Sequence, residues 1–254
     1  MTAPVSTTLT SWGRSLRSVS RLWPIDAASR ALTALQDAGP RGAIARGLAR
    51  SYGDACLNSG GETLDMRALN RILAWNTDTG IMQCEAGVSF REVMDVTLPS
   101  GWIPAVCPGT AFVTMGGAVA NDVHGKNQHV AGSFGEHVEW VDLLTPDGQL
   151  RRVTPASDAD LFAATVGGVG LTGVILRLQF RLMRVPSNAL ALEEQRVVDI
   201  HHFIETLDER VDQSPYVVGW IDAMATGTSV GRGILEVARH MDTPMPVPKQ
   251  RSFR

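Results

Sequence analysis

The sequence predicts an α+β protein, and three observations predict it. Short strand and helix patterns alternate irregularly, without the regular strand–helix–strand rhythm of a parallel sheet. Two segments carry antiparallel signatures: a hairpin across 138–154 and a long alternating run across 173–183. Past residue 184 the texture changes, dividing the chain into 1–184 and 185–254.

Residues 1–25 hold Ser, Thr and Arg and no acid. They have the composition of a frayed N-terminus, faintly like a transit peptide, and lack the apolar core of a secretory signal. Residues 26–38 predict a helix capped by Asp26, with Ala28, Ala31, Leu32 and Leu35 as its apolar stripe and Gly39-Pro40 as its stop. A short strand is expected at 42–46, a glycine-bearing loop at 47–61, a strand stub at 64–66 and a strand at 80–87. Ser89 and Glu92 have capping-box spacing, and Val88 with Val93 that of a hydrophobic staple, for a helix ending before Pro99. In 138-VEWVDLLTPDGQLRRVT-154, two apolar runs flank a Pro-Asp-Gly turn. Ser157 and Asp160 predict the cap of a helix through Val166, and the strand after it alternates Val174, Leu176, Leu178, Phe180 and Leu182. Segments 190–211 and 216–225 read as the start of a second unit. The proline-bearing end, 243–254, reads as a loop or linker, so the chain is expected to stop mid-protein.

At 44% hydrophobic and 19% charged residues, the chain can bury an ordinary core. A net charge of −3 with dispersed bases argues against a nucleic-acid partner. Cys56, Cys84 and Cys107 are odd in number and far apart, so no disulfide framework is expected, and a reducing compartment is. No apolar run reaches the ~18 residues of a membrane span.

The run 168-GVGLTG-173 matches the dinucleotide fingerprint, and Glu193 stands 20 positions after it. The fingerprint needs a strand leading in and a helix leading out. Here the order is inverted, so the run reads as a helix end with Gly167 left-handed, followed by a tight turn. Two other loops carry more chemistry. In 46-RGLARSYGD-54, glycines free the backbone, and Arg50, Ser51 and several amides can face an anion. In 108-PGTAFVTMGGAVANDVHGKN-127, Gly116, Gly117, Ala118 and Ala120 let a flat ring or backbone approach, and a helix opening at 115–120 would offer its N-terminal amides. Three of six histidines, His124, His129 and His137, lie in or just after this second loop. With Asp122 they raise a metal-site reading, but their spacings place no pair on one helix face, and no metal is expected. A Cys107 hydrolase is weaker still, because Cys107 precedes Pro108-Gly109 rather than a helix.

These motifs, with 131-AGSFG-135 and 161-LFAATVGGVGLTG-173, resemble the vanillyl-alcohol-oxidase-type (PCMH-type) FAD-binding proteins. Within them the chain most resembles the decaprenylphosphoryl-β-D-ribose 2′-oxidase group. The similarity starts near Leu9, in L-T-S-W-G-R, and is densest over 44–177. The resemblance implies a two-subdomain FAD-binding domain over 1–184, followed by the beginning of an antiparallel-sheet substrate domain over 185–254. It implies that Arg46, Gly47, Leu48, Ala49, Arg50, Ser51, Tyr52, Gly53 and Asp54 hold the pyrophosphate. Gly109, Thr114, Met115, Gly116 and Gly117 would line the cofactor. Asn121, Asp122, Val123 and His124 would run beside the flavin ring, and Val174 or Ile175 would meet the adenine.

Many members tether FAD through a histidine before the serine of the first loop. Arg50 stands there, so FAD is expected to be non-covalent. The implied activity is oxidation of a secondary sugar alcohol, the 2′-hydroxyl of a polyprenylphosphoryl ribose, with an alditol or aldonolactone as the alternative. His124, Lys126 and Tyr52 are the expected catalytic residues: an imidazole for the substrate hydroxyl, an ammonium for its phosphate, and a phenol closing the site. The implied partners are a small-molecule or lipid-linked sugar, a quinone acceptor and an NAD-dependent reductase acting on the keto product. A cytoplasmic location is expected, extended by a lipid-linked substrate to peripheral membrane association. A different class of reading is an FAD-binding domain without turnover, since the family's chains run on past residue 254.

Overall fold

The computed structural model describes residues 3–244; residues 1–2 and 245–254, with most of the proline-bearing segment, lie outside the described residues. Three sheets are laid down in chain order. The first joins β1 (Val5–Thr10), β2 (Arg17–Pro24), β3 (Ala43–Arg46) and β4 (Glu62–Asp65), with α1 (Ala28–Gln36) between β2 and β3; strand order is β1-β2-β4-β3. This corrects the frayed N-terminus. β1 and β2 pair in full antiparallel register, from Val5 opposite Leu22 to Thr10 opposite Arg17. The inward residues of β2 include Ser18 and Ser20, both buried, so its alternation is hidden from a count of apolar side chains. Ser20 Oγ donates to the Asn58 carbonyl at 2.6 Å, which removes the cost of burying it. Ala27, without a side-chain hydrogen bond, caps α1 in place of the predicted Asp26, and Ala28 is exposed while Ala31 and Ala34 turn inward.

The second sheet follows. Its elements are β5 (Ile72–Trp75), β6 (Ile81–Glu85), α2 (Phe90–Thr97), β7 (Trp102–Pro104), α3 (Met115–Ala120), α4 (Gln128–Ala131), β8 (Val138–Leu144), β9 (Leu150–Val153), α5 (Ala159–Thr165) and β10 (Val174–Arg184). Strand order is β5-β6-β10-β8-β9, and β7 also pairs with β10. The capping box is formed: Ser89 Oγ accepts from Glu92 N at 3.2 Å, and Glu92 Oε2 accepts from Ser89 N at 2.7 Å. Val88 and Val93 are fully buried, as a staple requires. The predicted Ser157 cap is absent. Ser157 N donates to Thr154 Oγ1 at 2.8 Å in a turn of its own, and Asp158, at φ 53°, precedes α5 without a side-chain cap. All five alternating residues of β10 are buried. Ile175 is buried too, beside a break in register between Ile175 and Arg177.

One core, with Phe90, Phe134, Phe180 and Leu178, lies between the second sheet and α2 and α3. A second joins α1 and the first sheet to Leu144, Val174 and Leu176 of the second. The third sheet has β11 (Leu190–Val197), β12 (Tyr216–Ile221) and β13 (Gly233–His240) in order β11-β13-β12, all antiparallel, with α6 (Ile200–Val211) against it. β13 was not predicted. Charged residues Glu236, Arg239 and His240 interrupt its apolar pattern.

Candidate functional site

The loop after β3 and the loop after β7 face each other across a cavity of about 840 Å³. That is near the upper end of the roughly 300–1,000 Å³ typical of ligand sites. The first and second sheets supply most of the walls, and Trp220 of β12 adds a wall from the third. Gly47 is the seam between the two loops. A Cβ there would lie 2.2 Å from Thr114 Oγ1, so no larger residue fits without movement.

The first loop is held open from behind. Arg46 Nη1 donates to the Cys56 carbonyl at 3.0 Å, and Arg46 Nη2 to the Thr10 carbonyl at 2.6 Å. Trp12 N donates to the Ser51 carbonyl at 3.0 Å. Ala49 takes a left-handed conformation at φ 57°. Among the described residues, no backbone N–H from Leu48 to Gly53 donates a hydrogen bond to protein. A row of free amides on a bent loop is an anion-binding concavity. Arg50 adds charge, and among the described residues it has no carboxylate partner. The loop therefore fits a diphosphate-bearing cofactor.

The second loop behaves differently from its prediction. The first amides of α3 are already used: Met115 N donates to Val88 O at 2.7 Å, Gly116 N to Ala86 O at 2.8 Å, and Gly117 N to Thr114 Oγ1 at 3.3 Å. No anion site remains at that N-terminus. The tightest approach at Gly116 is to protein, not to an open wall: a Cβ there would lie 2.7 Å from the Ala86 Cβ.

Of the expected cofactor residues, 46–53, Gly109, Thr114, Gly116, Gly117, Asn121, Val123, His124 and Ile175 line the cavity. Four do not. Met115 is fully buried in the core, and Val174 belongs to the core beneath the first sheet. Asp54 is exposed outside the cavity lining. Asp122 turns back so that its Oδ1 accepts from Gly135 N at 2.8 Å. Tyr52 lines the cavity with its side chain largely in solvent, and His124 is an exposed residue of the wall.

Lys126 is placed elsewhere. Its Nζ lies 3.5 Å from Glu236 and 5.7 Å from the Trp220 ring centre, and it lines a neighbouring apolar cavity of about 370 Å³. The segment carrying His124 and Lys126 is clamped from two sides. Val217 N donates to Lys126 O at 2.8 Å, Asn127 Nδ2 donates to Ala105 O at 2.8 Å, and a Cβ at Gly125 would lie 2.4 Å from Cys107 O. The other histidines are spent on structure: His137 bonds the Ala131 carbonyl within the loop, while His129 reaches out to the Ser214 carbonyl. Burial pushes the Cys107 thiol up to about 12, which leaves it protonated and unsuited to nucleophilic attack.

Trp12, Phe112 and Trp220 are wall residues that sequence reasoning did not single out. Trp12 lies in the L-T-S-W-G-R stretch where the family resemblance begins, which is the signal that marks it. Trp220 comes from a separate sheet, and no local pattern connects it to the loops.

A cavity bounded by a free-amide loop and a small-residue wall defines a protein that binds a diphosphate-bearing cofactor. Residues 28–154 match the family model described as FAD binding domain, and the chain belongs to that family, with FAD as its cofactor. It is 43% identical over 236 residues to decaprenylphosphoryl-β-D-ribose oxidase of Mycolicibacterium smegmatis, covering 89% of this chain and 50% of that protein. It is 30% identical over 137 residues to an uncharacterized oxidoreductase of the fasciation locus of Rhodococcoides fascians, covering 54% and 31%. It is 31% identical over 145 residues to cytokinin dehydrogenase 7 of Oryza sativa subsp. japonica, covering 56% and 28%. The chain spans half or less of the length of these relatives. Among the described residues, no helix is long and apolar enough to cross a membrane.

Proposed function

We propose that the protein is an FAD-dependent oxidoreductase acting on a secondary alcohol of a sugar, with the 2′-hydroxyl of a polyprenylphosphoryl-β-D-ribose as its substrate. The observation that carries this reading is the single cavity running from the free amides of 48–53 to the His124 wall. When bound, FAD supplies a two-electron acceptor for the hydride leaving the alcohol carbon at N5. The protein orients the two partners and manages the proton. The free amides and Arg50 hold the diphosphate. His124 meets the substrate hydroxyl and accepts its proton, leaving a ketone. Trp220 offers a flat apolar face to the sugar ring. Non-covalent attachment is supported by Arg50, which offers no ring nitrogen for a flavin bond. A quinone then takes the electrons, and an NAD-dependent reductase consumes the keto product. The lipid tail of the substrate brings the protein to a membrane surface. Residues 1–184 would form the cofactor domain, and 185 onward the substrate domain.

One observation favours a second reading, FAD binding without turnover. Lys126, expected to hold the substrate phosphate, is paired with Glu236 in the neighbouring cavity. Anaerobic titration of the FAD-loaded chain separates the two. Loss of visible flavin absorbance on adding polyprenylphosphoryl ribose, but not on adding an alditol or aldonolactone, supports the proposed substrate. A stable yellow protein that no alcohol bleaches sinks it.

A further inference from the structure

Trp12 sits on the turn between β1 and β2, half-exposed, in the wall of the flavin cavity. The turn is tied to the free-amide loop by two bonds: Trp12 N to Ser51 O at 3.0 Å, and Ser11 Oγ to Tyr52 O at 3.3 Å. Gly13 lets the turn come this close, since a Cβ there would already lie 3.1 Å from Tyr52 O. The Arg50 guanidinium lies 4.6 Å from the centre of the Trp12 ring. Its Nε donates to the Phe112 carbonyl at 3.1 Å, and its carbon lies 6.0 Å from the Phe112 ring. Three distant segments, the N-terminal turn, the 47–53 loop and the 108–113 loop, are thus joined in one brace across the cavity. Among the described residues, Nη1 and Nη2 of Arg50 donate no hydrogen bond and meet no carboxylate, so the cation in the middle of the brace keeps donors for an anion.

We propose that Trp12 is a cofactor-retaining residue: its indole backs the Arg50 guanidinium, and FAD leaves only when the Trp12–Arg50–Phe112 brace opens. A ring face under a guanidinium holds the fork planar and keeps it from swinging into solvent. A protein without a covalent flavin link must obtain slow release from such contacts, so the proposal rests on the non-covalent reading above.

The test is the rate of FAD release from the loaded full chain, followed by recovery of free-flavin fluorescence after dilution. The Trp12→Ala variant should release FAD about tenfold faster, the factor that 1.4 kcal/mol represents. Trp12→Phe keeps a ring face and should stay within about threefold of the wild type. Arg50→Lys keeps the charge but loses the fork, and should fall between them. Thermal midpoints of the FAD-free variants are measured alongside. If Trp12→Ala does not fold, the order wild type, Trp12→Phe, Arg50→Lys in release rate still decides. Release from Trp12→Ala or Arg50→Lys at the wild-type rate overturns the proposal. Flavin that stays attached after acid precipitation overturns it together with the non-covalent reading, and a chain that takes up no FAD overturns it with the cofactor site itself. Normal FAD uptake with unaltered release in the variants removes the brace alone.

Discussion

From sequence, the first glycine-bearing loop was read as an anion site and the second as a small-residue surface whose helix start would add further anion-binding amides; the fold has made their amides opposites. In the loop after β3, the amides of 48–53 have no acceptor among the described residues. At the start of α3, the amides of 115–117 are all taken by Val88, Ala86 and Thr114. A backbone N–H can bind a ligand only if the fold leaves it unused. Glycine content and a helix start do not report that, because two of the three acceptors, Ala86 and Val88, lie in the turn after β6, far away in sequence.

The difference should be visible directly in amide hydrogen exchange. In the FAD-free protein, amides 48–53 should exchange quickly and 115–117 slowly. Loading FAD should slow exchange at 48–53 by roughly tenfold to a hundredfold, the range set by a charge-assisted hydrogen bond. The amides of 115–117 should barely change. Equal new protection at both loops would break the comparison.

The seam between the loops gives the next effect. In Gly47→Ala, the new methyl meets Thr114 Oγ1, which caps α3. Overpacking of this kind costs about 1–3 kcal/mol. We expect a lowered urea midpoint and weakened FAD binding together, because the methyl parts the free-amide loop from the wall it faces. Unchanged affinity with lowered stability would mean that the seam serves folding alone.

Thr114→Ala separates the two roles of the second loop. Loss of the cap should cost about 1 kcal/mol of stability. FAD affinity should fall by much less than in Gly47→Ala, because the α3 amides are not ligand donors. A larger loss of affinity than of stability would return the helix N-terminus to the binding site.

What was legible in the sequence follows the same division between local and distant partners. The Ser89–Glu92 box, the turn at Pro146-Asp147-Gly148 and the alternation of β10 depend on residues a few positions apart, and each formed as read. β1 and β2 were missed because inward-facing serines replace apolar residues. The cap at Ser157 failed because Ser157 is drawn into a separate turn, in which Thr154 Oγ1 accepts from Ala156 N and Ser157 N. In the site, the lining at 46–53 and at Gly109, Asn121 and His124 could be anticipated from the motifs. Trp12 and Trp220 could not be assigned to one cavity from patterns near either residue. The pairing of Lys126 with Glu236 could not be read from the sequence, because the two lie 110 positions apart.

Acid should loosen the second loop before the first, for a traceable reason. The carbonyls that consume the α3 amides belong to Ala86 and Val88, which directly follow Glu85. Burial pushes the Glu85 carboxyl up, but the Arg71 hydrogen bonds and charge, helped by Arg177, outweigh it and hold the group below its ordinary value. Arg71 N and Nη2 reach the carboxylate at 2.9 and 2.6 Å. A folded-state value below the unfolded one means stabilisation present above the unfolded pKa, about 4.3 for a glutamate, and lost as pH falls through the lower folded value. Stability should therefore be nearly flat from neutral pH down to about 5 as far as this group is concerned, then decline. Arg71→Met should lower stability at neutral pH and shrink that decline, because without the largest force holding the carboxyl down the folded-state value moves back up toward or past the unfolded one. Exchange at Met115 and Gly116 should rise over the same window, while the amides of 48–53, already free, show only the intrinsic pH response. Urea midpoints against pH that fall identically in wild type and Arg71→Met would show that Glu85 does not anchor this wall.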